Sequence, residues 1–351
     1  MASRAVVKVF RIFISRHIGK GEAMNKNMRL LTILTAAALM AAACGSTSSA
    51  TSSATTQGAS SSSVGPATTI NVGYVPTLDT VALYLAQTQG YFKAEGLKVV
   101  LHANDSGPAL VTSTLQGSYQ FSYVAAQPLL IAFSKGATVR VVVGSSVNGP
   151  NSLATGVFVK AASAITSISD LAGKSVAVNA LTSPETLAVQ TVVSSGGGNP
   201  STIHFVALPV TQELQAVSRG QVAAADVFEP FVATALADGL KDLGDPQLQA
   251  FPKGSPIALY FSSNAEATNH PAVVRQFAAA MTKAEAFADA HPSQYRQAMV
   301  TFLGTPAALA AKVPLVHLTP TIDPTATSNL VALMRKSGYL STTPNLKAFL
   351  P

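Results

Sequence analysis

The sequence predicts an α/β protein of two lobes with a hinge and a cleft between them. Three observations predict it. Strand-like and helix-like segments alternate from residue 69 onward, a second such alternation starts near residue 155, and the pattern turns helical after residue 269. Alternation of this kind argues for parallel sheets covered on both faces. The chain has 351 residues, 48% of them hydrophobic, which is ample for one large core or two smaller ones.

Each element follows from its local pattern. Residues 70–75 (Ile-Asn-Val-Gly-Tyr-Val) read as a buried strand, and 77–90 as a helix with apolar Val81, Leu83, Tyr84 and Leu85 and a stop at Gly90. A strand at 97–103, a helix at 108–116, a strand at 121–125, a helix at 128–134 and a strand at 139–143 complete the first unit. The second unit has strands at 156–160, 175–179, 203–208 and 222–228, with a helical turn at 169–172 and helices at 184–194, 212–219 and 230–240. A strand at 257–262 is expected to return within this second unit. Helices at 270–290, 293–303, 306–313 and 324–336 are expected to pack back on the first lobe. The expected domains are 69–150 with 265–351 as the first lobe and 151–264 as the second. They join near 147–155 and 262–269, and a two-strand connection suits hinge closure over a ligand.

The amino-terminal segment reads as an address. Lys26 to Arg29 form a short basic region, and residues 30–43 follow without a charge, ending Ala-Ala-Ala before Cys44. Basic region, apolar run and small residues at the cut describe a secretory signal peptide over 1–43, with Met24 or Met28 as alternative starts. The run is shorter than the roughly 20 residues a membrane span needs. Cys44 resembles the lipid-modified cysteine of a bacterial lipoprotein, with Ala41 where Leu is usual. Residues 44–68 hold this cysteine and a Ser/Thr-rich tether, whose uncharged small residues bury too little to offset ordering entropy. An extracytoplasmic protein, lipid-anchored to the cell membrane, is the expectation.

Charge supports that division. The formal charge is +7, but seven basic residues and Glu22 precede Cys44, which leaves 23 − 7 = 16 basic against 16 − 1 = 15 acidic residues. The folded part is therefore near neutral and offers no electrostatic case for nucleic acid.

Four stretches carry a family resemblance. They are Gly73-Tyr74 with Gly90-Tyr91-Phe92-Lys93-Ala94-Glu95-Gly96-Leu97; Phe121-Ser122-Tyr123-Val124-Ala125-Ala126-Gln127-Pro128 running to Gly136; Asp170-Leu171-Ala172-Gly173-Lys174; and Ser218-Arg219-Gly220-Gln221-Val222 followed by Glu229-Pro230-Phe231. In this order they resemble the type II periplasmic binding proteins, and within them the branch serving nitrate, sulfonate, taurine and thiamine-precursor importers. Ala223-Ala224 depart from the Asp-Ala common in the family at that point. The resemblance implies a two-lobed binding fold, a small organic solute as ligand, an ABC permease as membrane partner and a monomeric chain. An enzyme on the same scaffold, as in pyrimidine or menaquinone biosynthesis, and a sensor module for a membrane receptor are the alternatives. The cysteine-rich motif of the enzyme relatives is absent, since Cys44 is the single cysteine.

Candidate ligand-binding residues lie where strands end, because open α/β sheets bind ligands beyond those ends. In the first lobe these are Tyr74, Leu78 and Asp79 after one strand, Ser106 after the second, and Ala125 and Gln127 after the third. In the second lobe Thr182 and Ser183 precede a helix start, where free N–H groups can hold a polar or anionic group. Ser183 before Pro184 also reads as an ordinary cap. Glu229 reads either as an acid favouring a helix dipole or as a cleft carboxylate facing a ligand amine or ring nitrogen. Tyr123 and Phe231 are candidate aromatic walls. No cofactor and no metal are expected: His102, His204, His270, His291 and His317 lack ligand spacing, and no nucleophile motif occurs.

Overall fold

The computed structural model describes residues 67–149 and 155–351. The expected signal peptide, Cys44 and all but the end of the tether lie outside the described residues. Ten strands occur among the described residues: β1 (Thr68–Tyr74), β2 (Leu97–Ala103), β3 (Phe121–Ala125), β4 (Val139–Val147), β5 (Thr155–Val159), β6 (Ser175–Val178), β7 (His204–Ala207), β8 (Ala224–Phe228), β9 (Lys241–Asp242) and β10 (Pro256–Ser263). They form two five-stranded sheets, one ordered β2-β1-β3-β10-β4 and the other β7-β6-β8-β5-β9.

Both sheets are mixed, where the alternation had suggested parallel ones. β1 runs parallel to β2 and β3, and β6 runs parallel to β7 and β8. β10 is antiparallel to β3 and β4, and β5 is antiparallel to β8. In each lobe the reversed strand is the first one after the chain has crossed from the other lobe. Antiparallel pairing needs no covering crossover helix.

The strand at Pro256–Ser263 corrects the boundary expected at 264. It lies inside the first sheet, between β3 and β4, and the second crossing therefore precedes it. The two crossings lie side by side. Asn148 donates its backbone N–H to the Ser255 carbonyl at 2.8 Å and accepts from Gly254 N–H at 2.8 Å, while its side chain donates to the Phe251 carbonyl at 2.8 Å.

Period-two patterning builds the second lobe. Val157, Val159, Val176 and Val178 face one apolar layer, and Phe158, Ala177, Ala225 and Val227 face the other. The carboxyl-terminal helices cover the first sheet. On the helix Pro271–Ala290, Phe277 is fully buried and stacks on Phe121 of β3 with ring centroids 4.2 Å apart. The chain just before the helix Pro324–Lys336 lies on β4: Ser146 bridges Leu318, and a Cβ at Gly144 would meet the Thr319 carbonyl at 2.6 Å. That close approach is the reason a glycine stands there.

The helix Pro184–Ser195 belongs to both lobes in packing. Leu187 and Ala188 join the core of the first sheet, and Val189 and Val193 join the core of the second. Its first turn is thereby fixed at the junction, which is what positions the site.

Candidate functional site

A cavity of about 50 Å³ lies at the carboxyl ends of β1, β3, β6 and β8. Val75, Ala125 and Phe228 come from three of those ends, and Asn179 and Ala180 follow the fourth. Ile257 and Ala258 of the antiparallel β10 close one side, and Gly107 and Pro108 of a helix start close another. The volume suits on the order of three or four water molecules, or one small solute.

On the first-lobe side the polar lining is Thr77 and Tyr123. Both hydroxyls donate to the buried carboxylate of Asp79, Tyr123 at 2.6 Å, and Ser146 adds a third donor at 2.9 Å. Burial raises the Asp79 pKa, and these three donors oppose the rise. Asp79 thus fixes the orientation of the two hydroxyls from beneath, and Thr77 also reaches Tyr123 Oη at 3.1 Å.

On the second-lobe side the polar lining is Asn179, Ser183, Glu185 and Gln247. Ser183 precedes the helix with an extended backbone, and Pro184 opens it without an N–H, so the chain turns sharply and leaves the Ser183 hydroxyl facing the cavity. Ser183, Glu185 and Gln247 are 4%, 3% and 2% exposed, and Asn179 Oδ1, Glu185 Oε2 and Gln247 Oε1 have no partner among the described residues. Gln247 Nε2 donates to Glu185 Oε1 at 3.5 Å. Burial raises the Glu185 pKa, and hydrogen bonds from the Ser183 hydroxyl and from its own backbone N–H oppose the rise. Buried polar atoms without partners are costly, so three of them around one cavity mark a place completed by something else.

The residues expected at the site fall in different places. Ala125 and Ser183 line the cavity. Ser106 caps the helix whose Gly107 and Pro108 line it, one residue away. Asp79 lies beneath, and Leu78 is core, its carbonyl accepting from Tyr295 Oη at 2.6 Å. Tyr74 stacks on Phe302 at 5.1 Å, outside the lining. Gln127 is buried beside the lining with both amide atoms unpartnered, and Thr182 is exposed. Glu229 is buried off the cavity, where its Oε2 accepts from Ala233 N–H at 3.1 Å and burial pushes its pKa to about 7. Of the aromatic candidates Tyr123 lines the cavity, while Phe231 packs edge-on against Phe228, which does.

Asn179, Glu185 and Gln247 were not among the expected site residues. Glu185 carried a signal that reads two ways, since an acid in a first helical turn already suits the dipole. Gln247 sits on the short helix Pro246–Ala250, in a stretch the sequence pattern left unassigned.

With the geometry in place, comparisons identify the fold. A family model described as NMT1/THI5 like matches residues 78–295. Among curated proteins none matches the chain. Among solved structures the chain is similar to the alkanesulfonate-binding protein SsuA of Xanthomonas axonopodis pv. citri bound to MOPS, at 19% identity and a TM-score of 0.69, over 82% of this chain and 100% of that one. It is similar to the ligand-binding component of an ABC-type import system from Staphylococcus aureus, at 14% identity and a TM-score of 0.69, over 81% and 96%. It is also similar to the periplasmic nitrate-binding protein NrtA of Synechocystis PCC 6803, at 14% identity and a TM-score of 0.65, over 80% and 84%. The two-lobed α/β fold expected from the resemblance is the fold observed.

Proposed function

This chain belongs to the NMT1/THI5-like family, and from that premise we propose that it is the solute-binding component of a membrane importer, capturing a small organic molecule and releasing it to a permease. The observation that carries the reading is the cavity itself. It is walled by both lobes, apolar on most of its surface through Val75, Phe228 and Ile257, with a few converging polar groups. Such a lining suits small-molecule binding. A solute touching Tyr123 on one lobe and Glu185 on the other favours the closed arrangement over an open one. That differential affinity is the physical means by which occupancy is signalled to a permease. The names of the compared structures, two of them binding proteins and one an import component, support binding without turnover.

Native mass spectrometry of the full chain tests this. The expected result is one small molecule carried through purification and recovered unchanged after denaturation. Conversion of that molecule by the purified protein would overturn the reading.

The proposal places the protein outside the cytoplasm, held to the membrane by acyl chains on Cys44. Among the described residues no helix is long and apolar enough to cross a membrane, and acyl chains anchor by burying methylenes at about 0.8 kcal/mol each. Cys44→Ser should move the protein from the membrane fraction to the soluble fraction. A wild-type Cys44 peptide of unmodified mass would refute the anchor.

A further inference from the structure

The polar lining of the cavity is one-sided in its chemistry. Among the described residues no lysine, arginine or histidine lines it. The hydroxyl hydrogens of Thr77 and Tyr123 go to Asp79, with Tyr123 Oη a second acceptor for Thr77 at 3.1 Å, so neither hydroxyl has a hydrogen to spare for a solute. From the other lobe come Glu185 Oε2, Gln247 Oε1 and Asn179 Oδ1, buried atoms without a partner among the described residues, while the Ser183 hydroxyl turns to the Glu185 carboxyl group. Gln247 is oriented by its amide nitrogen facing the Glu185 carboxylate, which turns its oxygen elsewhere. Oxygen acceptors converge from both lobes, and the one ionisable group among them on the second-lobe side is an acid.

The feature that would favour an anion here is the start of the helix Pro184–Ser195, and it is already answered. Pro184 lacks an N–H, and the carboxyl group of Glu185 occupies the first turn, where an anion would otherwise sit. Glu213 and Asp226 lie close enough to act on one another and on Glu185, and both keep two unpartnered carboxyl oxygens. Among the described residues none of these three acids forms an ion pair, since the pairs present involve Glu266, Glu95 and Asp289. Burial raises the pKa of both Glu213 and Asp226 and favours their neutral forms, so they supply no positive group to meet an anion and leave Glu185 without a counter-charge that a cation would have to displace.

We infer that the solute carries a cationic N–H group — an ammonium, amidinium, guanidinium or protonated ring nitrogen — that docks on Glu185, with the side-chain oxygens of Gln247 and Asn179 as flanking acceptors. This rests on the cavity being the solute site, and it separates this chain from the alkanesulfonate and nitrate binders it resembles in fold. A carboxylate met by such a group gains charge-assisted hydrogen bonds and fills acceptors that the empty protein leaves unmet.

Isothermal titration and thermal unfolding of the full chain test it, with acetamidinium, methylguanidinium and ethylammonium as one set of probes and methanesulfonate and nitrate as the other, at matched ionic strength. The expected result is saturable binding by at least one cation and none by the anions. Glu185→Gln should weaken the cation tenfold or more, and Gln247→Leu, a second variant that leaves the acid in place, should weaken it several-fold. Saturable binding of methanesulfonate or nitrate that Glu185→Gln leaves unchanged would overturn the inference and leave the importer reading standing. So would a co-purified solute without a basic nitrogen. Failure of every probe together with absence of any co-purified solute would overturn both.

Discussion

Glu213→Gln should stabilise the protein at pH 8 and leave it nearly unchanged at pH 5. Glu213 lies on the helix Val210–Arg219, fully buried, with no partner for either carboxyl oxygen. Burial, and secondarily the charge of Glu185, push its pKa from 4.5 to about 9. An acid whose folded pKa is raised keeps its proton in the native state after the unfolded chain has lost it. Folding then takes up a proton at every pH between those two values, and stability falls as pH rises through the window. Below about pH 4.5 the group is protonated in both states and the contribution is flat. At pH 8 the proton uptake costs on the order of 5 kcal/mol, with the amide of Gln free of it. Protonated acid and amide are similarly desolvated, so their burial costs cancel to first order. Urea denaturation at pH 5 and pH 8 measures both ends, and a variant gaining as much at pH 5 as at pH 8 would contradict the account. Asp226 is raised by burial as well and works in the same direction.

Phe277→Ala is expected to cost about 3–5 kcal/mol. The ring is fully buried, lies parallel to Phe121 within 3°, and also meets Phe92 at 5.7 Å and Tyr260 at 5.8 Å. Phe121 and Tyr260 belong to β3 and β10, the strands that carry Ala125 and Ala258 to the cavity. The substitution therefore loosens the attachment of the helix Pro271–Ala290 to the sheet that frames the site. Chemical denaturation should show the loss, and a titration of the native solute should show weaker binding beside it. A cost under about 1 kcal/mol would mean that this helix does not hold the first sheet.

Much of the architecture was legible in the residues. Strand 97–103 and helix 324–336 were read with the bounds they have, because alternation and helical spacing report which faces of a segment are apolar. Gly90 ends the first helical stretch and adopts a positive φ, as its position there suggested. The strand ends at Ala125 and the helix start at Ser183 were legible for the same reason, since strand, turn and cap are local signals. The resemblance in four short stretches supplied the family.

Other features were decided only when the chain folded. Pro256–Ser263 reads as a buried strand in either lobe, and its partner is a matter of long-range pairing that no local pattern encodes. Asp79 and Glu229, both acids after strand ends, looked alike in sequence to Glu185. Folding buried Asp79 beneath two hydroxyls, turned Glu229 onto the start of its own helix, and set Glu185 in the wall of the cavity. The composition of the chain determined that two apolar-faced sheets would form and where their strands would stop. Which carboxyl group lines the cavity was settled by packing between segments distant in sequence, because burial and hydrogen-bond supply at a point in space depend on every element that converges there.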